Sequence, residues 1–210
     1  MTLQIGKTEV LLDNSRSGAA IAWQFFSLIN PDMEFAQAAP LPKLIKYVQD
    51  YDLWKLEFGE ATKAINAFLK LANKTIDSWD DIAEMLEDSI GTAAILYEGG
   101  KELEQFETEC VSYVDTWRSV SISGYEIQIV QCPKQYASRV GELLAQKTGT
   151  FGATYVVLSD GKAEVSLRSR SDVDVAAIAK NYGGGGHAKA AGFTIALADL
   201  QRATLGGSSL

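Results

Sequence analysis

Apolar residues change their period near Ser119-Val120-Ser121, and this change excludes one alternating sheet running the length of the chain. Upstream they recur every three to four residues, the spacing of one helix face; downstream they recur every second residue, the spacing of a half-buried strand. Lys43 to Trp54 places Leu44, Ile45, Val48 and Tyr51 on one broad face. Ala61 to Leu71 and Trp79 to Leu86 predict two more helices, and Ile90 to Trp117 predicts a longer one carrying Ile95, Leu96, Leu103, Phe106 and Val114. Gly99-Gly100 marks an expected bend in it. Residues 15 to 117 thus predict a helical layer rather than a complete sheet domain.

Beyond Gly124-Tyr125 the pattern is mixed. Glu126 to Val130 alternates as a strand, Tyr136 to about Lys147 predicts a helix, and Thr154 to Leu158 and Ala163 to Arg168 predict a hairpin around Asp160-Gly161. Asp172 or Asp174 caps a helix over Val175 to Asn181, and Gly192-Phe193-Thr194-Ile195 predicts a strand before a frayed Gly-Gly-Ser-Ser end. This is a compact α+β module. At the other end, Glu9-Val10-Leu11-Leu12 predicts a buried strand, followed by a helix from Gly18 to Phe26 capped by Ser15 or Ser17. Such a strand needs neighbours in a sheet, and almost no sequence precedes it.

Charge divides in the same place as period. Residues 1–123 carry ten basic and twenty acidic side chains, net −10, whereas residues 124–210 carry nine basic and seven acidic, net +2. A duplex-wrapping protein requires a broad positive surface, which this chain lacks; a local basic pocket for a short phosphate ligand fits the second half. Cys110 and Cys132 show neither CxxC spacing nor a disulfide-rich pattern, which predicts buried thiols in a reducing compartment. Neither a signal pattern nor an apolar stretch of spanning length is found, so a cytoplasmic protein with no membrane partner is expected.

The densest chemical signal is Tyr182-Gly183-Gly184-Gly185-Gly186-His187-Ala188, four adjacent glycines beside the one histidine of the chain. Such a run can form a nest of amides around a phosphate, with His187 donating a hydrogen bond or moving a proton. It can equally be a tight turn before a closely packed Ala188-Lys189-Ala190-Ala191 helix. It is not a P-loop, since no Gly-Lys-Ser/Thr follows, and it has no dinucleotide-binding spacing. Arg168 and Arg170 alternate with Ser166 at a strand end, as an arginine fork for phosphate or as a charged, solvated strand edge. Asp50 and Asp52 are the metal-ligand candidates of the acidic half, although residues two apart on a helix face different ways. Asp13 and Asn14, with Arg16 nearby, sit at a strand end suited either to ligand contact or to capping the next helix.

Taken in order, these residues resemble the DHH phosphoesterase family, in its branch of short-oligonucleotide hydrolases and adenosine bisphosphate phosphatases. Glu164-Val165-Ser166-Leu167-Arg168-Ser169, Asp174-Val175-Ala176-Ala177-Ile178-Ala179 and Gly183 through Phe193 look like the DHH-associated substrate-binding domain. Asp13 through Phe26 and Tyr47 through Trp54 resemble the later part of the catalytic domain, so the likeness covers nearly the whole chain. It implies a fold between α/β and α+β, with a helical, partial catalytic domain over residues 1–118 and a small α+β substrate-binding domain over 119–210. By the same resemblance, Arg168 and His187 hold a phosphate or terminal nucleotide, Gly184, Gly185 and Gly186 shape the backbone cradle, and Ser166 assists.

The family's Asp-His-His triplet is not in this sequence, and the parallel-sheet region carrying its manganese ligands is not matched. Asp50 or Asp52 would then be a remnant ligand, manganese or magnesium would not be retained, and no catalytic residue can be named. The expectation is a truncated phosphoesterase-like protein that binds a nucleotide or a short single-stranded oligonucleotide end without autonomous hydrolysis, as a homodimer or with a partner supplying the missing sheet. Two alternatives stand beside it: a manganese- or magnesium-dependent phosphoesterase acting on short oligonucleotides or bisphosphonucleosides, and an assembly protein without ligand.

Overall fold

The computed structural model describes residues 2–5, 8–11, 13–29 and 41–204. Leu12, the Pro31 and Pro40 interruptions and the Gly-Gly-Ser-Ser end fall outside these residues. A mostly helical N-terminal region is followed by a small mixed module of strands and helices. By internal packing the chain divides between Gln105 and Phe106, within one long helix.

The helical region begins with an antiparallel pair, β1 (Thr2–Ile5) and β2 (Thr8–Leu11), in register from Thr2 opposite Leu11 to Ile5 opposite Thr8. The expected strand is therefore not alone: β1 pairs with it. Next come α1 (Gly18–Ile29), α2 (Lys43–Asp52), α3 (Glu60–Leu71), α4 (Ile76–Glu87) and α5 (Ser89–Val114). Ser17 caps α1, its hydroxyl accepting from Ala20 N at 3.2 Å, and Thr75 does the same for α4. Leu44, Ile65, Leu69, Ile82, Leu86 and Ile95 form the core of α2 to α5.

At Gly99-Gly100 α5 runs on as uninterrupted helix. The reason for a glycine there is proximity: a Cβ on Gly99 would stand 2.0 Å from Ala64 O of α3. Gly99→Ala is accordingly expected to lower stability by about 1–3 kcal/mol, as overpacked helix contacts do. Chemical denaturation followed by far-UV circular dichroism checks this, and an unchanged midpoint would contradict the close approach.

The second module is one six-stranded sheet in the order β3-β4-β5-β6-β8-β7. Its strands are β3 (Arg118–Ile122), β4 (Tyr125–Gln131), β5 (Phe151–Val157), β6 (Lys162–Ser169), β7 (Gly185–His187) and β8 (Ala190–Ala196). Only β4 and β5 pair in parallel, and α6 (Ala137–Thr148) makes the crossover between them. One face of the sheet carries Ala163, Val165, Leu167 and Phe193 into a core with Val175, Ile178 and Ala179 of α7 (Val175–Asn181) and Leu200 of α8 (Leu197–Thr204). Asp174 is the residue that caps α7, accepting from the amides of Ala176 and Ala177.

Beside α6, Val130, Cys132, Tyr136, Val140 and Leu144 bury Cys110 from the end of α5, with Phe106 and Tyr113 each 5.3 Å from the Tyr136 ring. Both cysteines are free, and burial pushes each thiol up to about 11. Among the described residues, no helix is long and apolar enough to cross a membrane.

Two expectations need correction here. Ala188 to Ala191 is not a helix: Ala188-Lys189 is the two-residue loop of the β7-β8 hairpin, closed by His187 opposite Ala190. Ladder pairing of Ala190 and Ala191 with β6 overrides the helical preference of four small and straight-chain residues. Arg118 to Ile122, read as a boundary, is a strand that pairs with β4 around the Ser123-Gly124 turn.

Candidate functional site

Side-chain alternation along β6 sends Ala163, Val165 and Leu167 into the core and Glu164, Ser166 and Arg168 to the opposite face. Residues directly opposite one another on neighbouring strands share a face. Two rows therefore cross the open side of the sheet. Arg168 lies opposite Ala190, which lies opposite His187; Ser166 lies opposite Gly192, which lies opposite Gly185. With strands about 4.8 Å apart, Arg168 and His187 begin roughly 10 Å from each other, with only Ala190 between. The structure thus brings together Ser166, Arg168, Gly185 and His187, with a floor of small residues.

Helix α6 lies over part of the same face and orients the arginine. Arg168 Nε donates to Ser138 Oγ at 3.1 Å, and its Nη1 donates to Leu167 O at 2.9 Å. Its stem rests on Gly141, where a Cβ would come within 3.1 Å of Arg168 Cγ. Desolvation works against the Arg168 charge and Glu142 favours it, with the net effect downward. Among the described residues no carboxylate lies within ion-pair distance of Arg168. A half-buried guanidinium in that state is suited to an anion. Ser138 and Gly141 have no local signature of such a role. The one available signal was a glycine inside a helix, where it is disfavoured unless something approaches closely.

Arg170 stands apart from Arg168. It follows the end of β6, and its Nη1 donates to Glu142 Oε1 at 3.0 Å, so the two arginines do not form a fork. The glycine run divides in two. Gly183 N and Gly184 N donate to Lys180 O and Ala179 O, ending α7, while Gly185 and Gly186 enter β7. Gly184 sits so close to β8 that a Cβ would meet Gly192 O at 2.1 Å, and Gly186 holds φ +143 beside Ala191. Much of the run is thus explained by close packing of a glycine edge strand, which leaves His187 exposed at its end.

The acidic candidates are placed differently. Asp50 is almost wholly buried; its Oδ1 accepts from Glu57 N at 2.8 Å, and its Oδ2 accepts from Phe58 N at 3.3 Å and from the Thr62 hydroxyl. Burial alone would raise its pKa, but the Thr62 hydroxyl, the two amides and Lys55 together hold the carboxyl below its ordinary value. Both oxygens are thereby engaged in shaping the loop from Leu53 to Gly59, in which Trp54 and Leu56 have positive φ. Asp52, two residues on, is exposed. Among the described residues no group of three or more His, Cys, Asp or Glu side chains is placed to hold a metal ion. Three protein donors thus engage both oxygens of the Asp50 carboxylate. Asp13 Oδ1 accepts from Ser15 N and Oγ, at 3.0 and 2.6 Å, and Asn14 is exposed in the turn before α1.

Residues 131–204 match the DHHA1 domain. Every residue of the two rows lies inside the matched segment. An uncharacterized protein of Acanthamoeba polyphaga mimivirus is 26% identical over 185 residues, covering 84% of this chain; the chain spans 40% of that relative's length. Two solved structures are similar at 17% identity. An uncharacterized protein from Helicobacter pylori G27 has a TM-score of 0.32, with 88% of this chain and 62% of the other covered. The pGpG-specific phosphodiesterase PggH from Vibrio cholerae has a TM-score of 0.47, with 68% and 53% covered.

Proposed function

We propose that the DHHA1 module binds the phosphate end of a nucleotide or of a short single-stranded oligonucleotide, with Arg168 and His187 flanking it, Ser166 assisting and Gly184 to Gly186 forming the edge. The observation that carries this is Arg168: half-buried, fixed at Nε, without a carboxylate partner among the described residues, and aligned in one row with His187. A bare floor at Ala190 and Gly192 leaves room for a ligand between them. Calorimetric titration of the full chain with a 5′-phosphorylated dinucleotide is expected to show saturable binding that weakens when the phosphate is removed. Equal affinity for the dephosphorylated dinucleotide would refute a phosphate-centred site.

Autonomous hydrolysis is not part of the proposal, because Asp50 is committed to its loop and Asp52 stands in solvent. Incubation of the same dinucleotide with manganese, magnesium or zinc is expected to release no product. Turnover that disappears in Asp50→Asn or Asp52→Asn would instead establish the metal-dependent phosphoesterase. We place the protein in a reducing, cytoplasmic compartment as a homodimer; the unpaired cysteines and the exposed Phe25 and Phe26 of α1 support this.

A further inference from the structure

Around Arg168 the acidic groups are already spoken for. Glu142 follows Gly141, the residue against which the Arg168 stem rests, so it is well placed to compete for that guanidinium. Both of its oxygens are engaged elsewhere: Oε1 by Arg170 Nη1 and Oε2 by Arg139 Nη1, each at 3.0 Å. Arg139 is itself held by Glu107, whose two oxygens both accept from Arg139 Nε at 2.9 Å. Glu164, on the same face as Arg168, is paired with Lys134. The result is an unbroken chain of alternating charge, Glu107-Arg139-Glu142-Arg170, from which Arg168 is left out.

We propose that Arg170 is a positioning residue: by occupying Glu142 Oε1 it keeps that carboxylate off Arg168 and so leaves the Arg168 guanidinium open to a phosphate. The inference rests on the phosphate-binding role given to Arg168 above. Its physical basis is competition between anions. A carboxylate tethered one residue from Gly141 is always at high effective concentration, so a site without Arg170 would be self-inhibited. Glu142 is felt electrostatically at Arg168, as expected for a competitor held nearby. Arg170 and Glu142 are both at the surface, so neither change threatens the core.

The test uses Arg170→Met, which keeps the stem and removes the charge, in the full chain. Binding of the 5′-phosphorylated dinucleotide is expected to weaken by roughly fivefold, the size of one surface-to-half-buried ion pair. Adding Glu142→Gln to Arg170→Met restores wild-type affinity; because this also restores the net charge, Glu142→Gln alone is the arm that separates competition from a general field effect, which would tighten binding about as much as Arg170→Met weakens it. Glu142→Gln alone stays within about twofold of wild type, since the competitor is already occupied. Unchanged affinity in Arg170→Met, or a loss that Glu142→Gln does not repair, overturns the proposal.

A crystal structure of Arg170→Met separates this failure from that of the phosphate site. Glu142 seated on Arg168 upholds the competition even where wild type gives no heat with nucleotide, in which case the ligand assignment alone falls. Glu142 still clear of Arg168 rejects the competition whatever the ligand.

Discussion

Arg168→Met weakens binding of a 5′-phosphorylated dinucleotide by about 10- to 100-fold, corresponding to about 1.5–3 kcal/mol for a hydrogen bond to a charged group. Methionine is chosen so that the stem still covers Gly141 and only the guanidinium is lost. Because Arg168 makes no ion pair among the described residues, the change removes little holding the protein together: one hydrogen bond to Ser138 and one to Leu167 O. The thermal midpoint therefore moves little while the affinity falls. Arg168→Lys recovers only part of the loss, since an ammonium restores the charge without the planar donors that bind phosphate at two points. Calorimetry on the three proteins at one salt concentration reads this directly. A methionine variant that binds as wild type would remove Arg168 from the site.

The second large effect falls on stability. Asp50→Ala leaves Glu57 N, Phe58 N and the Thr62 hydroxyl without their acceptor, at a position almost closed to water. A loss of about 3 kcal/mol is expected, since each buried donor left unpaired costs on the order of 1–3 kcal/mol. The pH dependence has a definite sign. A carboxyl held below its unfolded value stabilises the fold above about pH 4 and loses that contribution as pH falls through the folded value. Wild type should therefore lose stability more steeply than Asp50→Asn on acidification below about pH 4, as followed by urea midpoints at stepped pH. Parallel curves for the two proteins would contradict the assigned role of Asp50. Those midpoints also bear on metal chemistry: a carboxylate that organises its own loop is explained without any ion.

Helices were legible wherever an apolar face repeated. Lys43 to Trp54 became α2 over Lys43–Asp52, and Val175 to Asn181 became α7 over the same residues. Where the sequence misled, long-range contact decided. Ala188 to Ala191 has helical composition but sits where β8 must complete the sheet beside β6. The close approach of Gly99 to Ala64 cannot be read locally. α8 was not recognised, since Leu200 and Ala203 are its only buried residues and give too short a period.

The site was half visible. Alternation placed Ser166 and Arg168 together, and the glycine run marked His187. Their meeting on one face depends on the β6-β8-β7 register, which no local pattern states. Ser138 and Glu142, some thirty residues before Arg168 in sequence, could emerge only once α6 was seen to lie over β6.

Amide chemical shifts of the full chain, recorded while a 5′-phosphorylated dinucleotide is added, locate the phosphate site residue by residue. Saturable shifts are expected at Ser166, Arg168, Gly185, His187 and Ala190, and none in the helical core around Ile65 and Leu86. Shifts centred on the Asp50 loop, or none at all at saturating nucleotide, would contradict that site.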